Sequence, residues 1–130
     1  MGFLSVLAAA AAGYVFGALW YMTLAKPWTE ASGIKCDEDG RPEGNSPLPF
    51  ILSAIAMVLV AGMMRHTFAL SGIETFGKGL LSGMGIGLFF ISPWIMINNA
   101  YGMRPFKLTV IDSGYAVVGC AIMGAVTGMF

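Results

Sequence analysis

Four apolar stretches, each about 20 residues long or slightly more, constrain the fold of this 130-residue chain more than any other feature. They are residues 3–24, 47–70, 79–101 and 108–130. A helix needs roughly 20 apolar residues to cross a hydrocarbon layer of about 30 Å. Each stretch therefore predicts one transmembrane helix. The short connections between the last three stretches predict antiparallel neighbours that pack in sequence.

The composition indicates that lipid, rather than water, surrounds the chain. Apolar residues make up 57% and charged residues 11% of the sequence, whereas an average soluble domain has roughly 25% charged residues. The mean hydropathy is +0.77. We therefore predict an all-α fold, with residues 1–130 forming a single transmembrane domain, an antiparallel up-and-down four-helix bundle. The net charge of zero gives no indication of a nucleic-acid partner.

The lysines and arginines predict the orientation of the bundle. The polar loop 25–46 and the loop before the fourth stretch carry five of them, and the opposite side carries two. The five are Lys26, Lys35, Arg41, Arg104 and Lys107, and the two are Arg65 and Lys78. Because the side richer in Lys and Arg is cytoplasmic, we expect both termini on the periplasmic side of a bacterial inner membrane. No positive charge precedes Lys26, so the first stretch is expected to be a span rather than a cleaved signal peptide.

Glycines recur at four-residue spacing in three of the four stretches. They are Gly13 and Gly17; Gly79, Gly83 and Gly87; and Gly124 and Gly128. Lipid tails are as apolar as leucine, so membrane helices associate through close approach of their backbones. The spacing therefore predicts helix-packing faces, which could meet either the same bundle or a partner.

The end of the bundle at the first and third loops is unusually rich in aromatic and polar residues. Those singled out are Trp20, Tyr21, Trp28, Trp94, Asn98, Asn99, Arg104, Asp112 and Tyr115. An acid below the membrane interface costs free energy unless it is paired. The nearest candidate partners of Asp112 are Arg104 and the two asparagines. Such a cluster could hold the third span against the fourth, or it could bind a ligand, ion or substrate.

No set of residues forms a recognisable reaction centre, and we expect no enzymatic activity, cofactor or metal. A single histidine, His66, cannot supply both ligands of a bis-histidine haem, and methionines at helical spacing are more typical of packing. Cys36 lies in a polar segment and Cys120 in an apolar one, so they should lie at different depths and form no disulfide. The acidic run 37–39 lacks the spaced ligands and final Glu of a calcium loop.

Two segments carry a family resemblance: GALWYMTLAKPW at residues 17–28 and NNAYGMRPFKLTVIDSGYAVVGCAIMGAVTG at residues 98–128. They resemble a bacterial family of small four-helix membrane proteins that is catalogued as a domain of unknown function. Met22 and Thr23 stand where that family usually has Ser-Pro, and Asp112 stands where it often has Asn. The resemblance implies four helices and no assigned activity. Its signature positions coincide with the aromatic and polar end: Trp20, Tyr21, Trp28, Asn99, Arg104, Asp112 and Tyr115.

Three hypotheses of function follow from the sequence. The first is a non-enzymatic accessory or assembly subunit that packs against itself or other membrane protein subunits, as the glycine faces and the small soluble portion suggest. The second is a small transporter or channel working as an oligomer, which the polar end and Pro93 within the third span would favour. The third is a lipid-binding protein in which Arg104 and Lys107 hold a head group.

Overall fold

Six α-helices and one π-helical turn form the part of the chain that the computed structural model describes, residues 2–34 and 47–130. The helices are α1 (Gly2–Thr23), α2 (Ala25–Ser32), α3 (Leu48–Ser71), α4 (Phe76–Ile86), α5 (Ser92–Tyr101) and α6 (Phe106–Met129), and the π turn is Gly87–Ile91. Four spans are long and apolar enough to cross a membrane: α1, α3, the continuous segment Phe76–Tyr101, and α6. The prediction of an all-helical chain with four such spans is confirmed.

Two sequence-based expectations differ from the observed helices. The third span begins at Phe76 rather than at residue 79, because the Thr75 side chain accepts a hydrogen bond from the Lys78 backbone N–H (3.2 Å) and so caps the helix. The first residues of the predicted polar loop 25–46 form a helix instead, since α2 follows α1 almost directly and ends before Gly33, whose φ is +74°. The predictions for Lys35, Cys36, Arg41 and the acidic run lie outside the described residues.

The third span changes its helical geometry before Pro93. Proline has no backbone N–H, so it cannot donate to the carbonyl four residues earlier. The preceding residues form the π turn Gly87–Ile91, and the Ser92 backbone N–H bonds the Gly87 carbonyl oxygen. The Ser92 hydroxyl donates to that same oxygen at 2.6 Å. A π turn of this kind absorbs an irregular backbone while most hydrogen bonds stay within the span.

Helix α6 lies at the centre of the bundle and packs against α1 on one side and α4 on the other, while α3 packs mainly against α1. Helix α3 makes at most a marginal contact with any part of the third span. The prediction that the second and third spans pack together as neighbours in sequence is therefore wrong. A short loop brings two helices together only at its own end. Here the packing of Met64 and Phe68 onto Val6 and Ala9 takes α3 to α1 instead.

The glycines of α4 and α6 face each other across a very close contact. A β-carbon added at Gly79 would overlap the Gly124 carbonyl oxygen, and one at Gly83 would overlap the Cys120 carbonyl oxygen. At Gly128 the obstacle is the carbonyl oxygen of Thr75. Because each obstacle is backbone, it cannot move aside without shifting a helix. This face of the third span therefore meets the chain's own fourth span.

The remaining predicted glycines also lie at contacts with α6. A β-carbon at Gly87 would overlap the Ala116 carbonyl oxygen, and one at Gly13 would come within 2.8 Å of the Met123 sulfur. At Gly17 it would come within 2.8 Å of the Tyr115 hydroxyl oxygen. The glycines of α1 thus make room for side chains, whereas those of α4 make room for backbone.

Candidate functional site

Asp112, near the start of α6, is the acceptor at the centre of the candidate site. The Tyr21 hydroxyl donates to its Oδ1 at 2.7 Å, and the Trp28 indole Nε1 donates to the same oxygen at 3.2 Å. Tyr21 lies near the end of α1 and Trp28 lies in α2. Because they are seven residues apart and separated by about two helical turns, both side chains can reach the same face of α6.

Tyr21 and Trp28, which bond this carboxylate, belong to a group of three aromatic rings with Tyr115. The Tyr21 and Trp28 ring centroids are 5.9 Å apart with an interplanar angle of 80°, and those of Tyr21 and Tyr115 are 5.4 Å apart at 74°. These edge-to-face arrangements are favourable for aromatic pairs. We refer to Tyr21, Trp28, Asp112 and Tyr115 as the Asp112 cluster.

Trp20 fixes the position of α1 beside this cluster. Its indole Nε1 donates to the Ile111 carbonyl oxygen at 3.0 Å. Its ring also lies against Gly114, where an added β-carbon would come within 2.6 Å of a ring atom. The residue before Tyr21 is therefore attached to α6 by a polar contact and by a close packing contact, which limits where the Tyr21 hydroxyl can lie.

The aromatic and polar residues predicted to form one cluster are separated in the structure. Asn99 is buried and donates to the Thr109 hydroxyl at 3.2 Å, so it joins the third span to the fourth. Trp94, Asn98 and Arg104 are exposed. Within the described ranges, no hydrogen bond or ion pair joins their side chains to the Asp112 cluster.

The expected partners of Asp112 were therefore wrong. Its observed donors come from the first span and α2, and neither Arg104 nor an asparagine contributes. Asp112 joins the fourth span to the first span rather than to the third. The reason is geometric: Arg104 and the asparagines are close in sequence, but Tyr21 and Trp28 lie on the helix that packs against this face of α6.

A cleft of about 980 Å³ opens beside the Asp112 cluster. One wall is formed by the first half of α3, including Met57 and Val60, and the other by Ile91 and Ile95 of the third span. Helix α6 forms its floor as far as Met123. The cleft exists because α3 and the third span do not pack together. We found no sequence signal for it, since it depends on which helices become neighbours.

One oxygen of Asp112 remains available to this cleft. Both observed hydrogen bonds use Oδ1, and Asp112 is among the residues that line the cleft. Within residues 2–34 and 47–130, the buried side-chain atom without a hydrogen-bond partner is the Ser113 Oγ. The Asp112 Oδ2 is therefore an accessible atom without a donor among the described residues, on a residue that lines the cleft.

The side chains of the site are mainly apolar and aromatic. In the described part of the chain, no group of three or more His, Cys, Asp or Glu side chains could hold a metal ion. The thiol of Cys120 is buried on the cleft floor. What the cleft offers is a long apolar surface with one carboxylate and three aromatic rings at one end.

A family model described as "Protein of unknown function (DUF1761)" matches residues 4–128, which is nearly the whole chain. No curated protein and no solved structure matches the chain.

Proposed function

We propose a function for this chain from its own structure, because the chain belongs to the DUF1761 family, whose function is unknown. The chain is a small multi-pass membrane protein that binds an apolar or amphipathic molecule taken from the bilayer. The binding site is the cleft between α3 and the third span. The observation that carries this proposal is a large apolar cleft, at the depth of the spans, with a few polar groups at one end.

The dimensions and lining of the cleft support binding of a small molecule. Ligand sites in proteins are typically about 300–1,000 Å³ in volume, mostly apolar, with a few placed polar groups. The cleft, at about 980 Å³, is at the upper end of that range. Its walls are mainly apolar side chains of α3 and the third span, and its polar lining residues are those of the Asp112 cluster together with Thr29 and Ser53. An apolar molecule could enter from the membrane without crossing water.

The glycine faces give less support to an accessory or assembly subunit than the sequence suggested. All seven predicted packing glycines lie against α4, α6 or their side chains within the chain, so these faces are not free for a partner. An accessory role in a membrane complex, or a transporter working as an oligomer, is therefore an alternative that rests on the sequence. The lipid-binding hypothesis of the sequence used Arg104 and Lys107, which do not line the cleft. The binding site proposed here is therefore a different one.

Filling the cleft is expected to weaken binding of a neutral amphiphile. Ser53 lines the cleft on α3, so Ser53→Phe should place a ring in it and weaken binding by about tenfold or more, which corresponds to about 1.4 kcal/mol. Binding is measured in nanodiscs by saturable quenching of tryptophan emission with a monoacylglycerol brominated near its head group. The exposed Trp94 is replaced by Phe in every variant, so that the emission comes from Trp20 and Trp28, of which Trp28 lines the cleft.

The matched control is Ala54→Phe, which adds the same ring at the next residue of α3. Ala54 is exposed and does not line the cleft, so this variant should bind the brominated monoacylglycerol as tightly as the protein without a substitution in α3. Quenching that grows linearly with the brominated lipid and never saturates in any variant would contradict the proposed function. Equal loss in both variants would show that α3, rather than the cleft, had been disturbed.

We also propose that the chain resides in a bacterial inner membrane with the Asp112 cluster toward the cytoplasm, following the distribution of Lys and Arg. In a cysteine-free background, Met103→Cys should react with a membrane-impermeant maleimide only in inside-out vesicles. Met103 is exposed in the loop before α6. Glu74→Cys, in the exposed loop before α4, should react only in intact spheroplasts. The reverse pattern would invert the orientation.

A further inference from the structure

We propose that the cleft selects a lipophilic ammonium compound, whose cationic head lies at the Asp112 cluster and whose alkyl chain lies along α6. This inference rests on the proposed function and adds the class of ligand. It starts from Asp112, which lines the cleft and whose Oδ2 is accessible and accepts no hydrogen bond from the described residues.

Charge is the first argument for a cationic head. No Lys, Arg or His side chain of the described residues lines the cleft, whereas Asp112 does. Charges interact more strongly in a medium of low dielectric constant than in water, and an ionisable group at membrane depth commonly pairs with another charge. A ligand cation at the Asp112 Oδ2 would supply the counter-charge that the chain does not.

The aromatic rings are the second argument. Tyr21, Trp28 and Tyr115 all line the cleft, and Tyr21 lies nearly perpendicular to each of the other two rings. The cluster therefore presents ring surfaces in more than one direction. A quaternary ammonium within about 6 Å of a ring centroid is attracted to the face of that ring. Carboxylate and rings together favour an ammonium group with alkyl substituents over a neutral head.

The same features exclude a ligand that carries a phosphate next to its ammonium group. A phosphate beside Asp112 would bring like charges together, and no basic side chain of the described residues lines the cleft to bind it. A zwitterionic phospholipid is therefore a poor fit. We assign the site to an ammonium compound without a phosphate.

The floor of the cleft provides room for an alkyl chain. It follows α6 from Asp112 to Met123, which corresponds to about 16 Å at 1.5 Å per residue. Along this length the lining residues of α6 include Ala116, Gly119 and Cys120, which are small. A single unbranched chain fits beside small residues better than a wide ring system does.

The test compares head groups on the same alkyl chain. Hexadecyltrimethylammonium, the neutral 1-O-hexadecylglycerol and the anionic hexadecyl sulfate each compete with the brominated monoacylglycerol in phosphatidylcholine nanodiscs. The cation should displace the brominated probe at a concentration in the membrane about tenfold lower than the neutral compound. Asp112→Asn should reduce that ratio to about one, whereas Glu30→Gln should leave it unchanged. Glu30 is an exposed carboxylate of α2 that does not line the cleft.

Each result bears on the inference. Equal displacement by cation and neutral compound in the wild type, or a preference that survives in Asp112→Asn, overturns it while the proposed function stands. A brominated probe that never saturates overturns the proposed function itself. If Asp112→Asn does not fold, Tyr115→Leu serves instead: it removes one ring of the cluster that lines the cleft and should lower the preference for the cation several-fold, whereas an unchanged preference overturns the inference.

The lipid of the nanodisc distinguishes an added ammonium compound from a phospholipid head group. The preference for the cation over the neutral compound is measured again, for wild type and for Asp112→Asn, in phosphatidylglycerol nanodiscs, where no choline is present. The same ratio in both lipids supports the assignment. A ratio that appears only in phosphatidylglycerol would mean that phosphatidylcholine already occupies the site, and would overturn the choice of ligand.

Discussion

Gly83→Ala is expected to destabilise the protein by about 3 kcal/mol, at the upper end of what overpacking a close contact usually costs. The added methyl group would overlap the Cys120 carbonyl oxygen and come within 3.1 Å of the Gly124 α-carbon. Both obstacles are backbone atoms of α6, so relief requires the two helices to separate. The free energy of unfolding is measured in mixed micelles by titration with a denaturing detergent, followed by circular dichroism.

Gly85→Ala provides the matched control, because it makes the same change on the same helix. No atom lies within 4 Å of a β-carbon added at Gly85, so only the intrinsic preference of alanine for a helix applies. That preference is worth up to about 1 kcal/mol in favour of alanine. The control should therefore be neutral or slightly stabilising. Similar losses for both variants would mean that the contact between α4 and α6 is not as close as described.

Asp112→Ala is expected to lower the free energy of unfolding by about 2 kcal/mol, because it leaves two donors without an acceptor. These are the Tyr21 hydroxyl and the Trp28 indole nitrogen. In membrane proteins individual polar pairs contribute on average about 0.6 kcal/mol and at most about 1.7 kcal/mol. Two donors share this carboxylate, so the expected loss of about 2 kcal/mol lies between twice the average and twice the maximum. The same detergent titration measures it, and a shift in Trp28 emission reports the loss of its hydrogen bond.

Two further variants make the interpretation specific. Asp112→Asn keeps an acceptor at this position and should lose less stability than Asp112→Ala. Ser113→Ala changes the next residue of α6, whose buried hydroxyl has no partner among the described residues, and should be neutral or slightly stabilising. Asp112→Ala with the stability and Trp28 emission of the wild type would show that Asp112 does not join α6 to α1 and α2.

Substitutions at Gly83 and at Asp112 are expected to affect ligand binding in different ways. Gly83 keeps the third span on α6 and so sets the position of the wall that carries Ile91 and Ile95. Asp112 sets the chemistry at one end of the cleft without contributing to that wall. We therefore expect Gly83→Ala to weaken binding of neutral and cationic amphiphiles together, whereas Asp112→Asn should affect the cationic ones.

The sequence alone determined the number of spans and their approximate bounds. Each span needs a minimum number of apolar residues to cross the bilayer, and this requirement is local, so it can be read without knowing what a helix packs against. The glycine spacing likewise indicated the faces at which helices approach closely. The start of α4 and the helical character of α2 were missed, since they depend on one cap at Thr75 and on eight residues whose composition resembles a loop.

Only the tertiary structure decided which helices are neighbours. In a water-soluble bundle the apolar stripe of a helix marks its inner face. A membrane helix is apolar on every side, so the distribution of its apolar residues does not indicate which face turns inward. The pairing of α3 with α1, the partners of Asp112 and the cleft all follow from that choice. They depend on contacts between helices distant in sequence, such as the Tyr21 side chain on Asp112 and the backbone of Gly83 on the backbone of Cys120.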